Sequence, residues 1–380
     1  MPSRFKLFTL FTIVAAAHAF LGFSLFPALG LEGVSLLAAW LALLVSAALL
    51  PMGLLAPMMK NKEWSERLAW AGLVAMGLFS SLFVLTLLRD VLLLPLAFVL
   101  SAEQYPALSE TSALAVLFGA ALFSIVGWFN ARRRAAVVDV TVPIVNLPPE
   151  LVGFTIAQIS DIHVGATIKR RYLSAIVDKV NSLNADLIAV TGDLVDGLVP
   201  DLKSHTAPLK RLHSRHGTYF VTGNHEYYSG ALPWIKELRR LGLTVLLNEH
   251  VALQHEGHTV VVAGVTDYSA GHFHVEHTSD PAAALRGAPL DARFKLLLAH
   301  QPRSSFKAAE EDYDLQLSGH THGGQFFPWN FFVRFQQPFT AGLHKIKDLW
   351  VYTSRGTGYW GPPKRLGAPS EITRIRLARA

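Results

Sequence analysis

The chain has 380 residues, which is enough for two domains or one large one, and it contains no cysteine, which excludes disulfides, thiolate metal ligands and a cysteine nucleophile. The net charge of +6 is modest, and no basic stripe with interleaved aromatic residues is present, so we expect no nucleic-acid partner. The mean hydropathy is positive at +0.33, and the apolar excess lies almost wholly before residue 130.

Residues 1–130 are predicted to be a transmembrane helical anchor. A helix needs about 20 apolar residues to cross the hydrocarbon core of a bilayer. Four runs come close to that length or exceed it: Leu7–Phe26, Val34–Ala56, Leu68–Leu88 and Ala113–Phe129. A fifth run, Val91–Leu100, is too short to cross alone and contains Pro95, so we interpret it as an extension of the third helix or as an interfacial segment.

Lysine and arginine residues predict the cytoplasmic ends of these helices. They precede the first helix, lie between the second and third, and follow the fourth: Arg4, Lys6, Lys60, Lys62, Arg67, Arg132, Arg133 and Arg134. The loops Leu29–Gly33 and Ser101–Ser112 contain neither residue type. Four crossings place both termini in the cytoplasm, so we expect an integral protein of a bacterial cell membrane with its C-terminal domain on the cytoplasmic side. A signal peptide cleaved near Ala17–Ala19 would leave that side unchanged, whereas a fifth span at Val91–Leu100 would reverse it.

The remaining sequence is typical of an α/β domain behind a linker. Residues 131–150 combine the arginine run with Pro143 and Pro148-Pro149, which predicts a basic, proline-containing linker. Strand-like runs then occur at Phe154–Ile159, Asp186–Val190, Tyr219–Val221, Val260–Ala263, Phe294–Ala299 and Leu315–Leu317. Helix-like stretches between them are Lys169–Asn181, Lys203–Ser214 and Pro233–Leu241. This alternation favours an α/β domain over residues 151–380, with function at the carboxyl ends of the strands.

Polar residues that can bind metals follow these strand-like runs, with glycine nearby. The candidate metal ligands are Asp161, His163, Asp193, Asn224, His300, His320 and His322. Oxygen and imidazole donors without sulfur suit divalent Mn, Fe or Zn. Seven ligands are too many for one tetrahedral ion, and a carboxylate can bridge two ions. The neighbouring glycines allow sharp turns close to an ion.

These blocks resemble the calcineurin-like metallophosphoesterases. The matching motifs are D-x-H at Asp161–His163, G-D-x-x-D-G at Gly192–Gly197, G-N-H-[DE] at Gly223–Glu226, a lone histidine at His300 and G-H-x-H at Gly319–His322. The segments "GHTHGGQ" (Gly319–Gln325) and "YTSRGTG" (Tyr352–Gly358) look most like those of the membrane-associated YkuE-like branch. The resemblance covers about residues 150–380 and implies an αββα sandwich. The expected fold is therefore an α-helical transmembrane N-terminal region plus an α/β metallophosphoesterase domain of the αββα sandwich type.

The resemblance also implies a role for each residue. Asp161, His163 and His322 would hold one divalent ion, Asn224, His300 and His320 would hold the other, and Asp193 would bridge them. Catalysis would be hydrolysis of a phosphoester or pyrophosphate bond by a metal-activated hydroxide. His225 would be catalytic, stabilising the developing charge or protonating the leaving oxygen. Asp196 would either orient His225 or be an ordinary turn aspartate before Gly197.

Two features favour a phosphorylated lipid or lipid-linked substrate. The first is the membrane anchor, and the second is the aromatic stretch Phe326–Phe339, which would either pack internally or contact the bilayer boundary. Basic residues that would meet phosphate, or be ordinary surface charge, are Arg334, Lys345, Lys347, Arg355, Lys364 and Arg365. The alternatives are a general phosphodiesterase for soluble substrates, with helices only for localisation, and a catalytically silent sensory or scaffold protein.

Two further features remain open in the sequence. His272–His277, "HFHVEH", has the look of a metal-binding segment, but its Ser/Gly/Asp-rich surroundings favour a solvated loop. Asp267 is either a substrate contact or a plain turn residue.

Overall fold

The computed structural model describes residues 4–56, 59 and 61–380, and the side chains of residues 4–7 are not described. Lys60 and the side chains of Arg4 and Lys6, which entered the topology prediction, therefore lie outside the described part. Internal contacts divide the chain into two units. One consists of Met1–Phe129 with Gly361–Lys364, and the other of Asn130–Trp360 with Arg365–Ala380.

In the described part of the first unit, four helices are each long and apolar enough to cross a membrane. They are α1 (Arg4–Ala28), α2 (Gly33–Leu55), α3 (Lys62–Leu96) and α4 (Gln104–Arg132). Since α3 continues through Leu96, the first part of Val91–Leu100 extends the third helix. Helices α2 and α3 approach closely at Gly53 and Gly72, where a Cβ on Gly53 would lie 2.7 Å from the Gly72 Cα. Small residues permit such backbone contact between apolar helices.

The second unit contains two six-stranded sheets. The strands are β1 (Ala136–Ile144), β2 (Thr155–Ile159), β3 (Leu187–Val190), β4 (Thr218–Phe220), β5 (Thr244–Val245), β6 (Glu249–His255), β7 (His258–Gly264), β8 (Phe294–Leu298), β9 (Leu315–Ser318), β10 (Gly342–Ile346), β11 (Leu349–Thr353) and β12 (Glu371–Arg379). The sheet orders are β1-β12-β2-β3-β4-β5 and β10-β11-β9-β8-β7-β6. In the first sheet β3 pairs in parallel with β2 and with β4, and in the second sheet β8 pairs in parallel with β7 and with β9.

Helices cover the outer faces of both sheets. They are α5 (Arg170–Asn181), α6 (Val199–Thr206), α7 (Asn224–Tyr228), α8 (Ala231–Arg240), α9 (Pro281–Leu285) and α10 (Ser305–Ala308). One more short helix, α11 (Trp329–Phe332), has no buried residue and lies outside these layers. Between the sheets, alternate residues such as Ile156 and Leu296 form one buried core. Their sequence neighbours face the helices, so that Leu173 of α5 packs on the first sheet and Ala308 of α10 on the second. The four layers confirm the αββα expectation.

Two predicted elements differ from the structure. The range 131–150, predicted as a linker, contains β1, which pairs in parallel with β12. Pro143 is tolerated there because β1 is an edge strand with a single neighbour. The helix predicted at Lys203–Ser214 is instead α6 followed by a 3₁₀ turn at Ala207–Arg211. Pro208 near the start of that turn cannot donate the backbone hydrogen bond that would continue the α-helix.

Candidate metal centre

The predicted ligands converge where strands of both sheets end. Asp161 and His163 follow β2, Asp193 follows β3, Asn224 follows β4, His300 follows β8, and His320 and His322 follow β9. Three overlapping groups have ligand atoms within 4.8 Å of one another: Asp161, His163 and His322; His163, Asp193 and His225; and Asp193, His300 and His320. The first group is the predicted ligand set of one ion. The last combines the predicted bridging residue with two ligands of the other ion.

The donor atoms point toward one another rather than toward separate partners. The Nε2 atoms of His163 and His322 are 3.1 Å apart, and Asp193 Oδ2 lies 3.1 Å from His300 Nε2. The Oδ1 atom of Asn224 is buried and has no hydrogen-bond partner among the described residues. A buried acceptor of this kind is costly unless something satisfies it. A cation would, so the site fits the metals that its chemistry implies.

The backbone of the ligand loops is strained. Five ligand residues have positive φ angles: Asp161 (52°), His163 (55°), Asp193 (50°), His320 (71°) and His322 (52°). Side chains other than glycine rarely adopt this region, and such residues cluster at functional sites. Glycine is required beside them, because a Cβ on Gly319 would lie 2.2 Å from Asp161 Oδ2. The loops are thus shaped to aim polar side chains inward.

Burial and neighbouring charges set the protonation of the ligands. Burial lowers the pKa of His320 to about 3, and the neighbouring His300 adds to this effect. Burial also holds the pKa of His322 well below its usual value, with His163 contributing. Both imidazoles are therefore neutral, which is the form that binds metals. Although burial works against it, His300 keeps the pKa of the Asp193 carboxyl well below its ordinary range.

Asp196 lies between two histidines of the site. Its Oδ1 atom is 2.6 Å from His225 Nδ1 and 3.2 Å from His163 Nδ1. Burial alone would lower the pKa of His225, but the charge of Asp193 and the hydrogen bond to Asp196 raise it to about 9. A carboxylate behind a histidine fixes the orientation and tautomer of its ring. The geometry therefore favours an orienting role for Asp196 over that of an ordinary turn residue.

Glu226 is a site residue that the sequence reasoning missed. Its side chain is fully buried, and it accepts backbone N–H groups of Gly223 (2.7 Å), Asp193 (3.0 Å) and Leu194 (2.8 Å). This carboxylate joins the loop that carries Asp193 to the loop that carries Asn224. Its place in the Gly223–Glu226 motif is the sequence signal for it.

Two of the proposed phosphate contacts are wrong. Arg365 is 1% exposed, and its guanidinium donates to the carbonyl oxygens of Arg355 (2.8 Å) and Ala368 (2.9 Å) and lies 3.2 Å from His322 Nδ1. Lys364 is likewise buried, at 3% exposed. Arg365 thus holds the loop of His322 in place. Neither residue is an exposed charge, because backbone carbonyls and hydroxyls provide acceptors for both inside the protein.

The two open features have structural answers. Asp267 is buried, and its carboxylate accepts from Ser269 N (2.8 Å) and from Gln301 Nε2 (3.1 Å). It therefore supports the residue next to His300 and is not a substrate contact.

In the loop His272–His277 most residues are exposed or half-buried, but His277 is buried against the Tyr227 hydroxyl (2.8 Å). None of the metal-ligand groups found among the described residues includes this loop.

The region that contains the candidate metal centre is similar to known proteins. The model of the "Calcineurin-like phosphoesterase" family matches residues 154–324. The "Transmembrane protein with metallophosphoesterase domain" of Bos taurus is 40% identical over 291 residues, which are 74% of this chain and 65% of that protein. Its namesake in Danio rerio is 38% identical over 68% of this chain and 61% of its own length. The chain therefore covers slightly less than two thirds of these two relatives. "Uncharacterized metallophosphoesterase YkuE" of Bacillus subtilis is 30% identical over 61% of this chain and 81% of that protein.

Proposed function

We propose that this chain, which belongs to the calcineurin-like metallophosphoesterase family, uses two divalent metal ions to hydrolyse a phosphoester or pyrophosphate bond of a lipid or lipid-linked substrate. Family membership makes the chain a phosphoester hydrolase, and its four apolar helices make it a membrane protein. The position of Asp193 is the observation that carries the two-ion proposal. Its Oδ2 atom lies 3.1 Å from His300 Nε2 and 3.9 Å from His163 Nε2, so it is near a predicted ligand of each ion.

The family resemblance assigns the metal ligands, and two of the three groups are compatible with it. Asp161, His163 and His322 would hold one ion, Asn224, His300 and His320 the other, and Asp193 both. Imidazoles, carboxylates and the unsatisfied Asn224 oxygen suit Mn, Fe or Zn. When bound, two such ions lower the pKa of a shared water and neutralise charge on phosphoryl oxygens.

His225 is assigned the proton transfer to the leaving oxygen. Although burial opposes it, the charge of Asp193 and the hydrogen bond to Asp196 raise the pKa of His225, which favours the protonated ring that has a proton to donate. Asp196 occupies Nδ1 at 2.6 Å, which leaves Nε2 as the donor toward substrate. The His225 side chain keeps 15% of its surface exposed, so a substrate can reach it.

An exposed aromatic rim beside His225 supports an apolar substrate. The rings of Tyr228 and Trp360 lie 5.2 Å and 5.5 Å from the His225 ring, and Phe273 lies 5.6 Å from Tyr228. All three are between 46% and 63% exposed. Gln325, which follows the ligand loop, exchanges two hydrogen bonds with the backbone of Trp360 and so holds it at the site. Lipid chains next to the phosphate would cover such a surface.

We assign the domain to the cytoplasmic face of a bacterial cell membrane. Lys62 and Arg67 at the start of α3, and the arginines 132–134 at the end of α4, support this side by the positive-inside rule. The bilayer would then be the permanent partner of the enzyme and the source of its substrate.

Full-length protein with Mn²⁺ and a generic phosphodiester tests the hydrolase proposal. Asp193→Ala should lower the rate by about a hundredfold or more, because it removes the ligand common to both ions. Asp312→Ala, at an exposed acid (87% of the side chain), is the matched control and should leave the rate unchanged. Equal rates for wild type and Asp193→Ala would rule out the metal mechanism.

The substrate class is tested separately with the rim. Trp360→Ala should raise KM for a lipid phosphoester in mixed micelles more than KM for a water-soluble ester. An equal effect on both substrates would favour the general phosphodiesterase instead.

A further inference from the structure

The aromatic stretch Phe326–Phe339 is divided by the fold into buried and exposed rings. Phe326 is buried, and Phe339 packs against the core and stacks on His344 at 4.6 Å. Phe327 is half-buried, and the remaining four rings project outward from α11 and the following 3₁₀ turn, Val333–Phe335. We name as the aromatic face the residues Trp329 (48% exposed), Phe331 (52%), Phe332 (54%) and Phe335 (75%).

The aromatic face is fixed to the loops of the metal centre. On one side, the Thr321 hydroxyl, between the two ligand histidines 320 and 322, donates to the Thr340 carbonyl oxygen at 2.6 Å. On the other side, Gln337 donates to the side chain of Gln301, the residue directly after His300 (3.1 Å). Gln337 also accepts from the backbone N–H of Arg303 (3.2 Å). The face is thus a shaped surface held by several hydrogen bonds.

Backbone packing supports the same conclusion. Gly324 has φ +77°, and a Cβ there would lie 2.1 Å from the Cα of Asn330 in α11. The helix of the aromatic face therefore rests directly on the turn that follows His322. An exposed apolar surface built this way is typical of an interaction site.

The composition of the segment favours lipid as the partner. From Phe326 to Ala341 the sequence has no acidic residue, and Arg334 is its single charged residue. Tryptophan and phenylalanine rings are favoured at the membrane interface. The absence of acids avoids repulsion from anionic headgroups, and Arg334 attracts them.

The connection between the helices and this domain is short. Helix α4 ends at Arg132 and β1 begins at Ala136, which leaves three residues between them. Three residues extend over at most about 10 Å. The domain is therefore joined by a short connection to helices that are apolar enough to span a membrane.

We propose that the aromatic face inserts into the interfacial region of a phospholipid bilayer. The inserted rings anchor the loops that carry His300, His320 and His322 at the lipid surface. This contact goes beyond the hydrolase function and depends on neither metal binding nor turnover.

The absence of cysteine allows a direct test. Phe332→Cys and Phe335→Cys, each carrying a nitroxide label, would be prepared in the full-length chain in nanodiscs of phosphatidylcholine and phosphatidylglycerol. Leu290→Cys is the matched control, because Leu290 is a fully exposed apolar residue outside the segment. Unchanged thermal unfolding of each variant verifies that it is folded.

The readout is the collision rate of the label with oxygen, which concentrates in lipid, and with a water-soluble nickel chelate. At positions 332 and 335 we expect oxygen collisions to rise and nickel collisions to fall several-fold relative to position 290. Nickel access at 332 and 335 equal to that at 290 would overturn the proposal. Spin–spin broadening that vanishes on dilution with unlabelled protein would also overturn it, because a second copy of the chain would then cover the face. The labels report depth without catalysis, so an inactive protein with buried labels would contradict only the proposed function.

Discussion

Asp196→Asn isolates the contribution of the carboxylate that lies between His225 and His163. The substitution keeps the shape of the side chain but removes its charge. The negative charge stabilises protonated His225 and so raises its pKa, which means that Asp196→Asn should lower that pKa. His225 then loses its proton at a lower pH, and activity that depends on this proton should be lost earlier as the pH rises.

The size of the effect follows from the contacts. The bond at 2.6 Å between Asp196 Oδ1 and His225 Nδ1 is charge-assisted, and such bonds contribute about 1.5–3 kcal/mol. Since about 1.4 kcal/mol is a factor of ten, the alkaline limb should move down by about one to two pH units. At a fixed pH above both limbs, the rate should therefore fall about 10- to 100-fold. Bound divalent ions would lower the pKa of His225 in both proteins, so the difference between the two profiles is the quantity to compare.

The assay is the initial rate of phosphodiester hydrolysis by full-length protein with Mn²⁺, from about pH 6 to about pH 10. Asp312→Asn, an exposed aspartate, controls for loss of one negative charge. If Asp196→Asn has the kcat and the alkaline limb of the wild type, Asp196 is a turn residue and the proton-transfer role of His225 loses its support. A lower kcat with an unchanged alkaline limb would mean that Asp196 acts by orienting His163, a candidate metal ligand, and not through His225.

Glu226→Gln should lower the unfolding temperature and the activity together. The amide NH₂ of glutamine would face backbone N–H groups that now donate to the carboxylate, at a cost of about 1–3 kcal/mol. An unchanged unfolding midpoint in calorimetry would contradict this. Burial raises the pKa of Asp314 from 3.8 to about 6, so its ionised form is disfavoured in the folded protein. The free energy of unfolding should therefore fall by at most about 3 kcal/mol as the pH rises from about 4 to 6, and Asp314→Asn should remove that slope in denaturant titrations. Chelation should abolish hydrolysis and lower the unfolding temperature, with Mn²⁺ restoring both; full activity after exhaustive chelation would exclude a metal enzyme.

The fold class and the convergence of the seven candidate ligands could be predicted because both depend on short sequence blocks. Each ligand follows a buried apolar strand, and parallel strands bring their carboxyl ends together. Strand β1 was predicted as linker because arginines and Pro143 dominate its surroundings, and its pairing with β12 is a contact between distant parts of the chain. Arg365 has no local signal at all, since only the folded chain surrounds it with carbonyl oxygens.

The positive φ angles of the ligand loops make stability and activity compete at the same five positions. A left-handed conformation costs a residue with a side chain about 1–2 kcal/mol, so the five together oppose folding by an amount comparable to the whole stability of a typical domain, about 5–15 kcal/mol. Glycine would relieve this cost at each of them while removing a candidate ligand. A selection for thermal stability alone, without a demand for hydrolysis, would therefore be expected to replace these five residues first: Asp161, His163, Asp193, His320 and His322. The most easily stabilised positions of this protein are those that the proposed chemistry can least spare.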